Sequence, residues 1–330
     1  MGYMTKYGTI WGLVPHVVGS VLWVAPTDQY QLEGRTYGSS DNNDGLSPER
    51  AKRTVNSAIT ACTANVNDMV VLLPGAHSVS STVTVNKAGL TIVGTSGALP
   101  TVDHRGPAGS KRLKSSITST ETAGIIFSVS AVDCEISFIN LSPPAAGGRG
   151  ISLAPLSGAA NRTYVHDCTF SLIATASTTT YGITVPAGVT ADLLEDVLVS
   201  RCYFVSGTGA STGANGPGVN ILGTAHGLTI EQSTFQLKGT AAWAAAILSS
   251  QAGTLGTLIR DCDFQNPTSA TTVITTAYLA TGQTVDGSSQ MLRCYVAAGS
   301  DCTTATASAD VSIAECYQSS IAGGTLATAS

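Results

Sequence analysis

Tyr164-Val165-His166-Asp167-Cys168-Thr169-Phe170, Leu198-Val199-Ser200-Arg201-Cys202-Tyr203-Phe204 and Leu258-Ile259-Arg260-Asp261-Cys262-Asp263-Phe264 are one phrase written three times. Alternating apolar residues lead to a polar residue, a thiol, one further residue and a large apolar side chain. Looser copies surround Cys134 (Val-Asp-Cys-Glu-Ile), Cys294 (Leu-Arg-Cys-Tyr-Val) and Cys316 (Ala-Glu-Cys-Tyr-Gln). A further copy, Leu228 to Phe235, carries Ser233 where the others carry the thiol. The marked positions Cys134, Cys168, Cys202, Ser233, Cys262, Cys294 and Cys316 follow one another at 34, 34, 31, 29, 32 and 22 residues.

Between the marks lie short runs of period-two alternation, such as Leu90-Thr91-Ile92-Val93 and Gly218-Val219-Asn220-Ile221-Leu222, separated by Gly, Ser, Thr, Asn and Pro. These are strand signals. A strand of four or five residues cannot bury a face alone, but equivalent strands stacked at about 4.8 Å per coil form parallel sheets around a continuous core. The repeat therefore predicts an all-β, right-handed parallel β-helix, with about eight coils between residues 66 and 320 at this repeat length. The marked residues are expected to stack as one core ladder of free thiols, because a buried thiol packs as a small hydrophobe. No CxxC pair exists among the eight cysteines, which argues against a zinc site.

Ser47-Pro48-Glu49-Arg50 is a helix-start signal, and Ala51, Val55, Ala58, Ile59 and Cys62 fall on one helical stripe. A capping α-helix of about four turns is expected within 46–64, covering the apolar end of the first coil. The resulting division is an N-terminal arm over 1–45, the cap over 46–64, the solenoid over 65–320 and a tail over 321–330. The apolar stretch 8–26 is broken by Pro15, His16 and Ser20, so it reads as extended arm or strand and not as a membrane span or secretory signal.

Charged residues are only 11% of the 330, with a net charge of −5. That excludes the concentrated basic surface of a nucleic-acid binder. Residues 1–162 carry 12 basic and 10 acidic side chains, whereas 163–330 carry 4 basic against 11 acidic. In an elongated fold this sets a near-neutral end against an acidic end. Asp133, Asp167, Asp261 and Glu315 each precede a marked cysteine and are expected to form an outward ladder, interrupted by Arg201, Gln232 and Arg293. A solvated face with opposite-charge neighbours is the preferred reading, and a sugar- or cation-binding strip the alternative. Asp41-Asn42-Asn43-Asp44-Gly45 invites a calcium reading, but Lys52 stands where a calcium loop needs its bidentate Glu, and Asx turns explain the run.

Tyr37 to Ile59 resembles the opening module of pectin-lyase-like β-helix proteins. Asn67 to Ser78 and Ala88 to Gly94 are similar to the first two coils of that superfamily. The stretches Gly8 to His16 and Val21 to Pro26 look similar to tailed-phage virion proteins that carry such β-helices. The superfamily includes polysaccharide lyases and hydrolases. Their hydrolase pattern of N-T-D, D-D, G-H-G and R-I-K survives here only as Ala225-His226-Gly227. The resemblance thus implies a non-enzymatic virion protein without cofactor or resident metal. A capsid decoration or cement protein is favoured, homotrimeric by analogy and seated on a shell of major capsid protein. A tailspike or fibre binding host glycan, and a secreted lyase or hydrolase, are the alternatives. Contact with the shell is assigned to Trp11, Val14, Val17, Val18, Trp23 and Tyr30 in the arm; the alternative for the tryptophans is packing on the chain's own first coil.

Overall fold

The structure is a computed structural model. It describes residues 19–32, 34–95, 115–144, 147–153, 159–172, 180–189, 194–206, 216–237, 243–249, 256–265, 274–280, 289–297, 301–305 and 311–318. Among them the chain winds into three parallel sheets of ten, nine and eight strands. The first sheet begins with Val21–Val24 and ends with Val311–Ala314. The second runs from Gly75–Val79 to Tyr317–Gln318, and the third from Val83–Val85 to Asp301–Ala305. Each coil contributes one strand to each sheet in turn. Eight coils are complete from Met69 onward, and Val311–Ala314 with Tyr317–Gln318 begins a ninth. This is a right-handed parallel β-helix, as the repeat predicts.

The polar residue of the phrase has a backbone task. Asp167, Arg201, Gln232, Asp261, Arg293 and Glu315 all have φ between 48° and 54°, the left-handed conformation. Each forms the corner between the first and second sheets. Its N–H continues the ladder around the bend, as from Asp167 to Ser200 O (3.1 Å) and from Arg201 to Glu231 O (3.1 Å). The next residue then points inward, which is why a small buried group stands there.

Cys134 does not belong to that file. It precedes its first-sheet strand, Glu135–Ser137, whereas Cys168 follows Tyr164–His166. Strand register pairs Glu135 with Tyr164, so Ile139 is the partner of Cys168 one coil earlier. Cys134 instead stacks between Leu90 and Thr163 at the opposite corner of the first sheet. There Asp133, Arg162 and Asp196 are the left-handed residues, with φ of 58°, 53° and 53°. Two corners using the same device, a left-handed polar residue before a small buried one, make the two files look alike in sequence. The 34-residue step from Cys134 to Cys168 is accordingly not a coil; the coil there is 29 residues, Glu135 to Tyr164. The remaining marks hold. Cys168, Cys202, Ser233, Cys262, Cys294 and Cys316 are buried, and the cysteines among them are free thiols.

Inside, Phe170, Phe204, Phe235 and Phe264 form a second file, stacked at 4.6, 4.6 and 5.0 Å with interplanar angles of 4°, 4° and 9°. The cap differs from expectation. Pro48–Arg50 is a separate 3₁₀ turn, and the α-helix covers only Val55–Ala61, with the Thr54 hydroxyl accepting from Ser57 N–H at 3.2 Å. The residues between are held extended. Lys52 pairs with the outermost first-sheet strand, donating to Trp23 O at 2.8 Å and accepting from Ala25 N–H at 2.9 Å. The Asp41 carboxylate takes the N–H groups of Arg53 (3.1 Å) and Thr54 (2.8 Å). Val55, Ala58, Ile59 and Cys62 still enter the main core beside Leu22 and Val24, so the short helix closes its end. No helix among the described residues is long and apolar enough to cross a membrane.

Candidate functional site

The outer face of the first sheet carries both features that bear on function: a clamp at its first coils and an ion network at its centre. The clamp is built by the hairpin Gln29–Leu32 and Arg35–Gly38 together with the 3₁₀ turn. Trp23 and Tyr30, expected as partner contacts, are 6% and 7% exposed there. They pack with Ala25, Ala51, Met69, Val71, Leu73 and Val93 in a core of their own outside the solenoid. The Tyr30 hydroxyl donates to Pro48 O and accepts from Ala51 N–H at 3.3 Å. The assignment of these two residues to partner contact is therefore corrected to self-packing: the outward apolar residues of the first coils would otherwise be in water. Trp11, Val14, Val17 and Val18 lie outside the described residues.

The acidic loop beneath the clamp already holds a cation. The Lys52 ammonium, in a side chain only 7% exposed as a residue, donates to Asn43 O at 2.8 Å and Asp41 O at 3.2 Å. This ammonium sits among the carbonyls that a calcium reading of 41–45 would enlist. Replacing Lys52 with Met should leave those carbonyls unsatisfied and cost about 1–3 kcal/mol, measured as a lowered urea midpoint with an unchanged slope.

At the centre of the face, His166 lies between two carboxylates. Nε2 meets Glu135 Oε1 at 2.9 Å and Nδ1 meets Asp167 Oδ2 at 2.7 Å. The ring stacks on Tyr164 at 4.0 Å and meets Phe138 edge-on at 5.6 Å. Arg201 Nη2 donates to Asp167 Oδ2 at 2.7 Å and to the Tyr164 hydroxyl at 3.3 Å. One coil further, Ser200 Oγ donates to Glu231 Oε1 at 3.0 Å, and Arg260 Nε donates to Glu231 Oε2 at 2.8 Å. Three carboxylates face two guanidiniums and an imidazolium, so the formal charges cancel.

Burial alone would pull the imidazole down, but its bonds to Asp167 and Glu135 outweigh that and hold it up, from 6.5 to about 9. Asp167 is likewise buried, which raises it, yet His166 and Arg201 together hold it below the usual carboxylate range. The sign of the linkage follows. A raised histidine contributes its full stability below the unfolded value of 6.5 and loses it as pH climbs through about 9. Thermal stability should fall across that window in the native chain, and the fall should vanish in His166→Gln; a slope that survives the substitution would show that another group is responsible.

The corner charges pair along the rod. Arg162 binds Asp133 through two bonds of 2.6 and 2.8 Å, and Arg293 binds Asp261 at 2.8 and 2.9 Å. Of the expected carboxylate ladder, Asp133, Asp167 and Asp261 each form an ion pair with the neighbouring coil, Asp133 at one corner and the other two at the opposite one, where Glu315 also stands. No group of three or more His, Cys, Asp or Glu side chains suited to a metal occurs among the described residues. The sequence reading did not single out His166 and Glu135. Their signal is positional: outward-facing strand residues in adjacent coils, legible once Cys134 is placed at the correct corner.

The sequence matches no protein-family model and no curated protein. Among solved structures it is similar to pectin methylesterase from Aspergillus niger, at 14% identity over 84% of each chain with a TM-score of 0.54. Rhamnogalacturonan lyase follows at 12% identity over 84% of this chain and 68% of that one, with a TM-score of 0.46. ORF18 of Geobacillus virus E2 is 12% identical over 81% of this chain and 58% of its own, with a TM-score of 0.39. At 14% identity the likeness to the pectin methylesterase establishes the fold alone, a parallel β-helix.

Proposed function

We propose that this chain is a non-enzymatic structural protein of a tailed-phage virion, a capsid decoration or cement protein acting as a homotrimer on the capsid shell. The observation that carries the non-enzymatic part is His166, with both ring nitrogens bonded to carboxylates and its protonated form favoured up to about pH 9. A general base near neutral pH needs a free lone pair and a value near the working pH. The neighbouring acids Asp167 and Glu231 are each bonded to a guanidinium. The network binds coil to coil and leaves no acid–base pair free for a substrate. The virion assignment rests on the resemblance of Gly8 to His16 and Val21 to Pro26 to phage proteins, and on the acidic bias of the later coils.

A second reading, a fibre that binds host glycan, is favoured by Tyr295 and Tyr317. They are neighbours in the second sheet and are 46% and 50% exposed. Imaging purified particles with and without the protein separates the readings. Hundreds of copies on the shell support decoration, and a few at the tail support a fibre. Absence from particles, with release of reducing sugars from polysaccharide, would overturn both in favour of an enzyme.

A further inference from the structure

The cysteines of the thiol file occupy one register position in successive coils. Every cysteine in it brings its sulfur near the same group, the first-sheet carbonyl one coil earlier, while Cys262, Cys294 and Cys316 also meet the carbonyl two residues back in their own coil, at 3.3, 3.3 and 3.5 Å. Cys168 Sγ meets Ile136 O at 3.7 Å, Cys202 Sγ meets Val165 O at 3.7 Å, and Cys262 Sγ meets Ile230 O at 3.6 Å. Cys294 Sγ meets Ile259 O at 3.9 Å and Cys316 Sγ meets Met291 O at 3.4 Å. The strand register places these residues one above another in successive coils, at the strand spacing of about 4.8 Å. Ser233 divides them into a pair, Cys168 and Cys202, and a trio, Cys262, Cys294 and Cys316. All five are free and at most 6% exposed.

We propose that each file is a two-coordinate site for a soft, thiophilic d¹⁰ cation, taken up linearly between sulfurs of adjacent coils. The span fits: two metal–thiolate bonds of about 2.3 Å each cover about 4.6 Å. Thiolate ligands select soft ions. Zinc, which requires four tetrahedral ligands, is not accommodated, in keeping with the lack of any suitable cluster of three or more such ligands among the described residues. On binding, two S–H bonds break, two S–metal bonds form and two protons leave to solvent, with no change of oxidation state. With a divalent ion such as Hg²⁺ the product is neutral, which suits an apolar interior where a net charge would be costly.

The probe is Hg²⁺ alone, incubated with the full chain carrying Cys302→Ser, which removes the cysteine of the third-sheet strand Asp301–Ala305. The expected result is two ions per chain, four protons released, and an X-ray absorption spectrum with two sulfur neighbours per metal. Cys202→Ser and Cys294→Ser should each lower the count from two to one. Cys62→Ser and Cys134→Ser should leave it at two, because Cys134 stacks between Leu90 and Thr163 and Cys62 directs its sulfur at Ala58 O on its own helix. Ser233→Cys joins the two files and should raise the count. Ser233 itself shows that serine is accommodated at this position, and the unliganded melting temperature of each variant checks that it is folded. An uptake unchanged by Cys202→Ser and Cys294→Ser, three or more ligands per ion, or no uptake by the folded chain would each overturn the proposal.

Discussion

Phe204→Ala is expected to destabilise the protein by about 3–5 kcal/mol, the range for removing a fully buried phenylalanine. The ring is 0% exposed and is sandwiched between Phe170 and Phe235 at 4.6 Å on each side. Deletion opens a cavity whose walls cannot close. Above and below are rings already held by their own neighbours, and on the remaining side are the backbones at Gly182 and Gly218. Two stacking contacts are lost as well, each contributing about 0.5–1.5 kcal/mol beyond area burial. In a solenoid, stability is a sum over coils and their nearest neighbours. The loss therefore falls on the junctions on either side of this coil, and the urea transition should broaden or divide as well as shift. Phe204→Leu should recover more than half of the loss. A loss below about 1.5 kcal/mol for the alanine variant would mean that the file is not close-packed at its centre.

The fold was legible because its repeat is written in side chains that must alternate in and out: Val165, Val199, Ile230 and Ile259 point inward at equal depth in successive coils. The error at Cys134 shows the limit of such reading. Similar phrases arise wherever a left-handed polar residue precedes a small buried one, and this solenoid has two such corners per coil. Only strand register, which depends on the lengths of the intervening loops, separates them. The cap departs from its sequence pattern for a related reason. The helical stripe from Ala51 is real as a pattern, but Ala51 faces the outer core and Val55 the inner one. The extended pairing of Lys52 with Trp23, a contact distant in sequence, overrides local propensity. The centre of the ion network was hidden in the same way. His166 meets Glu135 from 31 residues away, and Arg260 meets Glu231 from 29. Such pairs cannot be named until the coil length is known locally. The burial of Trp23 and Tyr30 followed from a face that the sequence shows as apolar, Met69, Val71 and Val93, without showing what covers it.

The second large effect is expected at Gly182, where Gly182→Val should prevent accumulation of folded protein and Gly182→Ala should cost about 1–3 kcal/mol through overpacking. The phenylalanine file fits only because the position facing each of the first three rings on the third-sheet side is a glycine. A Cβ at Gly182 would lie 2.7 Å from the Phe204 ring and 2.5 Å from Gly218 O. Gly150 and Gly218 are in the same position, at 2.9 Å from Phe170 and 2.8 Å from Phe235. The file of glycines continues into Ala246 and Ala277, both fully buried, where the facing file passes to Phe264 and then Val296. Neither neighbour at Gly182 can yield. The ring is stacked on both sides, and Gly218 O already accepts the Ile183 N–H at 2.9 Å as part of the ladder between coils. Moving that carbonyl breaks a buried backbone bond, which is why even one methyl group is costly. The claim is one of volume, so it predicts coupling as well as loss. Gly182→Ala combined with Phe204→Leu should be less destabilised than the sum of the two single changes, by 0.5 kcal/mol or more on a double-mutant cycle. Strict additivity, or a Gly182→Ala chain as stable as the original, would show that the glycine file does not exist to seat the rings.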